Sequence, residues 1–368
     1  MNEADILGLD PEAFEAVAEH LEHRQHDGLD YRHLPDYHAR LERGTVLIGD
    51  TAVRGFPKIP RTLVLEAGLP RHFDGPVAIE EKLDGYNLRV ARIGATTLAF
   101  SRSGHVCPFS TYVVRDRIDL QGLFDAHPEV VVCGEMIGPE NPYTPADYPG
   151  VDSIAFRAFD LRDRESGEPW GVERRRETLA DHGVEQVRLF DICPVDEAAE
   201  RAASAIEALD AAGREGVVCK AVDGDRSLKY TTSAANRGDL SFAFSFPFDY
   251  GRDFMFRRLL REAFQAVEFE GPPSTRERAH ALGEAILEPM VEAIETVDAG
   301  AVLGERHTVR APPTVVDGLF AHFETMGLTL EVHEDHREGA DRVVTFSKVV
   351  RSSTDRIAHY LAGGIVRE

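Results

Sequence analysis

The spacing of apolar residues divides the chain into four stretches. Near the N-terminus, Pro11-Glu12-Ala13-Phe14 opens a stretch with Phe14, Val17 and Leu21 at helical spacing, which predicts a helical module over residues 1–50. From residue 51 the period shortens toward two. Residues 77–82 and 86–92 flank Asp84-Gly85 and predict a pair of strands, and residues 97–100, 130–133, 154–159 and 216–219 predict more. Helices are expected at 172–182 and 196–212, the second capped by Asp196 with Ala199, Ala203, Ile206 and Leu209 on one face. Residues 252–299 read as helical, with Phe254, Phe256, Leu259, Leu260 and Phe264 forming an apolar face and Gly271-Pro272-Pro273-Ser274 as a linker. The last segment, 301–368, predicts a helix after Pro312-Pro313, strands at 328–333 and 342–347, and a terminal helix capped around Ser352 to Thr354.

Strands that do not alternate with helices indicate an α+β fold with mostly antiparallel sheets. At 368 residues the chain has room for two or three cores, and neither repeats nor low-complexity tracts interrupt it. The apolar runs are too short to span a bilayer and the first residues do not form a secretory leader, so a cytoplasmic protein is expected. Four cysteines (Cys107, Cys133, Cys193, Cys219) without CxxC spacing predict buried, reduced thiols rather than a zinc ribbon or a disulfide framework. His20, His23, His26, His33 and His38 are read as a solvated polar surface, since no fixed set of further ligands accompanies them.

Charge alters this picture. A formal net charge of −23 opposes nucleic-acid binding through general basicity, so any polyanion must be held by local, shaped contacts. Such acidity also suits life at high internal salt, where the Debye length falls to about 3 Å at 1 M. Of the 41 basic residues, lysine appears only at Lys58, Lys82, Lys220, Lys229 and Lys348. Guanidinium stays protonated whereas a buried amine can lose its proton and attack, so each surviving lysine marks a place where an amine is needed.

Lys82 stands in Glu80-Glu81-Lys82-Leu83-Asp84-Gly85-Tyr86-Asn87, with Gly85 expected to allow a positive φ and a close approach by phosphate. Alone, the pattern also fits a hairpin with a surface lysine. It is followed in order by Ser101-Arg102-Ser103-Gly104, Gly134-Glu135-Met136, Phe156-Arg157-Ala158-Phe159-Asp160, Glu215-Gly216-Val217-Val218-Cys219-Lys220 and Leu228-Lys229-Tyr230. This series resembles the covalent nucleotidyltransferases, which comprise DNA ligases, RNA ligases and mRNA capping enzymes, over roughly residues 77–232.

The resemblance implies roles. Lys82 would attack the α-phosphorus of ATP, its amine depressed by burial and nearby cations. Glu80 would read the adenine amino group and Phe159 would stack on the ring, unless Phe159 is a core aromatic; alternation sets Phe156 on the opposite face. Glu135 would accept from the ribose hydroxyl or else be a strand-end surface carboxylate. Arg102 would contact the ribose or the RNA terminus, or else be solvated. Glu215 would hold magnesium or manganese, and Asn87 would orient a metal-bound water. Lys220 and Lys229 would grip the α-phosphate as catalytic cations. The last motif departs from the family, which has two lysines one residue apart where this chain has Lys229-Tyr230-Thr231. Lys220 or a hydroxyl from Thr231 would cover the gap.

Asparagine five residues after the lysine is typical of RNA ligases, where DNA ligases carry arginine. With Gly55-Phe56-Pro57-Lys58-Ile59-Pro60-Arg61 ahead of the lysine, the whole layout is similar to the homodimeric archaeal ATP-dependent RNA ligases. That similarity implies an N-terminal module (1–50), an antiparallel-sheet nucleotidyltransferase domain of the ATP-grasp-like ligase adenylation type (51–237), a helical dimerisation domain (238–300) and a C-terminal domain (301–368). The expected partners are RNA with 5′-phosphate and 3′-hydroxyl ends and a second copy of the chain. A DNA nick ligase, a capping guanylyltransferase and a non-catalytic adenylate- or RNA-end-binding protein are the rival readings.

Overall fold

Sheets and helices alternate irregularly through the residues described by the computed structural model, 3–269 and 271–365. The N-terminal part holds α1 (Glu3–Ile6), α2 (Pro11–Ala18), β1 (Glu22–His26), β2 (Leu29–His33), β3 (Val46–Ile48) and β4 (Thr51–Val53). The central part runs α3 (Leu65–His72), β5 (Val77–Lys82), β6 (Tyr86–Ile93), β7 (Thr96–Ser101), α4 (Pro108–Arg117), α5 (Gln121–Ala126), β8 (Val130–Ile137), β9 (Ala155–Asp163), α6 (Val172–Asp181), β10 (Leu189–Cys193), α7 (Ala198–Ala211), β11 (Gly216–Ala221) and β12 (Ser227–Thr231). Then come α8 (Ser233–Ser245), α9 (Arg252–Glu268), α10 (Thr275–Asp298), β13 (Gly304–Ala311), α11 (Pro313–Thr325), β14 (Leu330–Glu338), β15 (Asp341–Val349) and α12 (Arg351–Leu361).

All ladders between these strands are antiparallel, in the orders β1-β2-β3-β4, β10-β5-β11-β12, β7-β6-β8-β9 and β13-β15-β14. The expected pairing of 77–82 with 86–92 does not occur. β5 is flanked by β10 and β11, while β6 lies in the other sheet between β7 and β8. Residues 83–85 therefore cross from one sheet to the other instead of turning back. Gly85 is needed there for space rather than for a positive φ: a Cβ would lie 2.4 Å from the Met136 carbonyl oxygen.

The helical reading of residues 1–50 is also corrected. Two short helices precede a four-stranded sheet, and that sheet continues through β4, beyond residue 50. Its outer hairpin turns at Asp27-Gly28, both with positive φ as a two-residue hairpin turn requires. β1 is wholly polar, Glu-His-Arg-Gln-His, so it has no apolar alternation to announce a strand. At the other end, α8 spans the division expected at residue 237.

The β7-β6-β8-β9 sheet is covered on both faces. One face packs with Phe109, Phe124, Val316, Leu319, Phe323 and Phe346 of α4, α5, α11 and β15, and the other receives Tyr31, Val46, Ile48, Val53 and Phe56. The β10-β5-β11-β12 sheet buries Val77, Ile79, Val217 and Cys219 beneath α3 and α7. In α7 the fully buried positions are Ala198, Ala202, Ala205, Ile206 and Leu209, with Ala199 and Ala203 at the margin, and the preceding residue is Glu197 with no side-chain cap. The capping box expected of good helices is found at α10, between Ser274 and Glu277. α12 takes its cap from elsewhere: the Asp249 carboxylate accepts from the Ser353 amide at 3.0 Å and from its hydroxyl at 2.6 Å. All four cysteines are buried and free. His33 is buried, not solvated, and its Nδ1 lies 2.8 Å from the Ser103 carbonyl oxygen.

Candidate active site

Strand alternation determines what each sheet shows the other. With Val217 and Cys219 turned toward the helices, Val218 and Lys220 face the opposite way, as do Glu80 and Lys82 of β5 and Lys229 of β12. Asn87, Glu135 and Phe159 come from the second sheet, and the two surfaces enclose one pocket, to which Phe56, Ile59, Arg102 and Val187 also contribute. Phe156 lies in the core, as alternation predicted.

At one side of the pocket Lys82 Nζ donates to Glu215 Oε2 at 2.6 Å. Burial pushes this amine down, but Glu215, Glu135 and Asp84 together outweigh it and the net shift is upward. The expectation of a depressed lysine is thus reversed here, because the groups around it are carboxylates rather than cations. Burial raises Glu135 to about 8, with Glu215 and Asp84 adding to the effect while Lys82 opposes it. Asp84 rises to about 6, again chiefly by burial and then by Glu215. Asn87, opposite Glu135 in the β6–β8 register, has its Oδ1 buried without a hydrogen-bond partner among the described residues.

The floor of the pocket is an ion network. Glu80 and Arg175, each 1% exposed, are bonded through both Glu80 oxygens. Lys220 Nζ lies 2.9 Å from Glu80 Oε2 and Arg176 Nη1 3.0 Å from Oε1. Burial alone would raise the Glu80 pKa, yet Lys220 and Arg175 take it down to about 2. Arg175 and Lys220 both also donate to the Phe159 carbonyl oxygen, the latter at 2.5 Å. Every strong contact of Lys220 is therefore to the floor, and burial lowers its pKa. Glu80, expected to read an adenine amino group, is instead occupied by three cations.

Above this floor Phe159 and Phe56 meet edge to face, with ring centroids 5.3 Å apart. With Ile59, Val187 and Val218 they line an apolar slot of the kind that takes a flat ring. Arg102 lies exposed at the rim. The Lys229 side chain makes no hydrogen bond or ion pair among the described residues, and its pKa falls to about 8 through burial, then Arg61, Lys82 and Arg102. Thr231 is not in the pocket: it is buried, accepts from Arg61 Nη1 at 2.7 Å and donates to Asn236 at 3.3 Å. Of the remaining lysines, Lys58 is exposed, while Lys348 is partly buried 3.7 Å from Glu305 in the C-terminal sheet.

Lys82, Glu80, Asn87, Arg102, Glu135, Phe159, Lys220 and Lys229 are brought together, and Glu215 joins them through Lys82. The sequence reading missed Arg175, one arginine among the three of Glu173-Arg174-Arg175-Arg176 in an arginine-rich chain. It also missed Phe56 and Arg61, although both lie in the segment singled out ahead of the lysine.

Similarity to known proteins extends over nearly the whole chain. The RNA ligase family model matches residues 75–231 and the model described as the ligase Pab1020 C-terminal region matches residues 242–364. An uncharacterized protein of Methanocaldococcus jannaschii is 36% identical over 337 residues, covering 88% of this chain and 85% of the relative. A solved archaeal ATP-dependent RNA ligase superposes with a TM-score of 0.93 at 40% identity, covering 99% of this chain and 98% of the other. A structure from Aquifex aeolicus, provisionally assigned as an ATP-dependent DNA ligase, gives 0.91 at 28% identity over 97% of this chain and 100% of the other.

Proposed function

This chain belongs to the archaeal ATP-dependent RNA ligases, and from that premise we infer that it joins RNA 5′-phosphate and 3′-hydroxyl ends by way of AMP carried on Lys82. The observation that carries the assignment of Lys82 is its position: a partly buried amine at a sheet-to-sheet crossing, bonded to Glu215 and facing an apolar slot that fits a base.

In the first step the Lys82 nitrogen, having lost a proton, bonds to the α-phosphorus of ATP. The bond from that phosphorus to the bridging oxygen breaks, and pyrophosphate leaves with the electron pair. An RNA 5′-phosphate oxygen then displaces the lysine from phosphorus, giving an RNA adenylate, and the amine recovers a proton. Finally the 3′-hydroxyl attacks the activated 5′-phosphorus and AMP departs. Phe159 and Phe56 hold the base, Glu135 accepts from the ribose, Arg102 meets the ribose or RNA end, and Lys229 faces the phosphate oxygens. Positioning and fixed charge do most of this work. Lys220 acts with Glu80 in holding Phe159, which sets the height of the slot.

Glu215, Glu135 and the unpartnered Asn87 Oδ1 would hold magnesium or manganese, since all three offer the oxygen donors such an ion prefers. When bound, a divalent cation supplies charge that offsets the carboxylates now holding the Lys82 proton in place.

Incubation with α-labelled ATP and Mg²⁺ at high KCl, followed by denaturing electrophoresis, tests the reading. A labelled band at 40.7 kDa is expected, absent in Lys82→Ala. No label from folded wild-type protein at any salt or metal would leave only a binding protein. The Aquifex relative favours DNA as a second reading. Circularisation of single-stranded 5′-phosphate RNA, with no sealing of nicked DNA, decides against it.

The working assembly we propose is a dimer. α9 exposes Phe256, Leu260, Phe264 and Val267, and α10 exposes Leu287, Val291 and Ile294, seven large apolar side chains on two helices that a partner would cover. Sedimentation at twice the monomer mass, lost in Phe256→Glu or Leu287→Glu, is the expected result. The four free thiols fit the reducing cytoplasm, and the −23 charge fits a high-salt cell. Activity that peaks at low salt and is lost above about 1 M KCl, where the Debye length is about 3 Å, would sink the halophile reading.

A further inference from the structure

The missing lysine of the last motif leaves a question of charge at position 231. Lys229 and Thr231 are on the same face of β12, so a lysine at 231 would reach the side of the pocket beyond Lys229. That space is taken. Residues 60–62 run alongside β12, with the Lys229 amide donating to the Pro60 carbonyl at 2.9 Å and the Thr62 amide to the Lys229 carbonyl at 3.2 Å. This pins Arg61 level with Lys229 and brings its guanidinium against the Thr231 hydroxyl at 2.7 Å.

A third cation, Arg261, comes from α9 and lines the same crevice as Arg61, Thr231 and Gln265. Neither the Arg261 nor the Lys229 side chain makes a hydrogen bond or ion pair among the described residues. The neighbouring Arg258 differs: it is bonded to Asp239 at 2.6 Å. Burial lowers the Arg61 pKa to about 10, with Arg261 the next cause; Glu215 and Asp239 oppose that shift, and Arg258 adds to it. Burial likewise lowers Arg261, followed by Arg258. Partly buried like charges without counterions destabilise a fold, and in a chain of net charge −23 carboxylates to neutralise them are plentiful. Glu215 and Asp239 are near enough to act on Arg61 and Arg261 but bond to neither, which leaves a place open for an anion from outside.

We propose that Arg61, Lys229 and Arg261 form a phosphate-binding subsite at the lip of the Lys82 pocket, Arg61 supplying from the loop before α3 the positive charge that Thr231 cannot. The ligand is a phosphoryl group with free equatorial oxygens, which an arginine fork engages through two parallel bonds. Two substrates of the proposed reaction carry one: the departing pyrophosphate of ATP and the 5′-phosphate of RNA. This inference rests on Lys82 as the adenylated residue.

Wild type is first shown to take label from ATP; if it does not, the ligase reading fails before the subsite is tested. Arg61→Gln, Thr231→Lys/Arg61→Gln and Arg261→Gln are then compared in two single-turnover assays. One follows AMP transfer from ATP to Lys82 and its reversal by inorganic pyrophosphate. The other follows AMP transfer from preadenylated enzyme to 5′-phosphate RNA. Arg61→Gln is expected to slow one arm about tenfold to a hundredfold, the worth of one charged hydrogen-bonded contact. Thr231→Lys in that background is expected to restore most of the loss. Slowing of the first arm identifies pyrophosphate as the ligand, and slowing of the second identifies the RNA phosphate. Wild-type rates in both arms, or a loss that the lysine does not restore in a variant with unchanged thermal melting, would overturn the proposal. If Arg61→Gln fails to fold, Arg261→Gln carries the test, since that side chain has no partner to lose: it must slow an arm by several-fold, and an unchanged rate overturns the proposal.

Discussion

Two groups of cations border the same pocket and are treated oppositely by the fold. On the floor, Arg175, Arg176 and Lys220 converge on a single buried carboxylate, Glu80. At the lip, Arg61 lies between Lys229 and Arg261, acting on the first and sharing a crevice with the second, and no carboxylate is in bonding contact with any of the three among the described residues. A satisfied buried network fixes geometry, and here it fixes the carbonyl of Phe159 and so one wall of the apolar slot. An unsatisfied one stores a preference for an anion that arrives and leaves. Residue type alone would have assigned Lys220 and Lys229 the same task; their partners separate them.

Replacing a group from each set, and one from between them, sharpens this contrast. Lys82→Ala should abolish covalent labelling entirely while leaving the melting temperature close to wild type, since only the Glu215 bond is lost. Lys229→Met should reduce the rate of AMP transfer by about a hundredfold to a thousandfold, the cost typical of losing one fixed charge-stabilising donor. The same change should leave stability unaltered or raised. The folded pKa of Lys229, about 8, lies below its ordinary value of 10.5, so the charged amine costs stability below about pH 8 and the fold gains as pH rises from there to 10.5. A Lys229→Met variant that melts well below wild type would place Lys229 in the structural set instead.

Glu80→Gln should behave in the reverse manner, with its main effect on stability. Leaving Arg175 and Lys220 buried without a counterion should cost about 3–5 kcal/mol in denaturant unfolding. Because the folded pKa of Glu80 is about 2 against an ordinary 4.5, the carboxylate's contribution is complete above about pH 4.5 and disappears as pH falls toward 2. The difference between wild type and Glu80→Gln should shrink over that window, and a difference independent of pH would mean that packing rather than charge is lost. The smallest effect concerns pH and rate. Transfer of AMP to Lys82 in the ligand-free enzyme should decline above about pH 8 as Lys229 loses its proton, and Lys229→Arg should remove that decline.

Much of the pocket was legible in the chain because its lining residues fall in short motifs at fixed spacing. Lys82, Glu135, Phe159, Glu215 and Lys229 could be named from short motifs, and in an arginine-rich chain each lysine was conspicuous. Arg175 could not, since nothing distinguishes it from Arg174 and Arg176 until α6 is packed and only one of the three turns fully inward. Most helices were legible from periodicity. The N-terminal sheet was not, because the polar β1 is held by its turn and by pairing to β2, which has no local apolar signature.

By itself, then, the sequence determined the inventory: which side chains can attack, which can stack on a base, and the order of strands that carries them, since these follow from covalent chemistry and local spacing. Tertiary structure alone decided how those groups are charged and divided. It sent 77–82 and 86–92 into separate sheets, surrounded Lys82 with carboxylates, buried Lys220 against Glu80, and placed Arg61 against Thr231 across 170 residues of chain. Electrostatic environment is set by neighbours in space, and neither spacing nor composition encodes distances between residues so far apart in the chain.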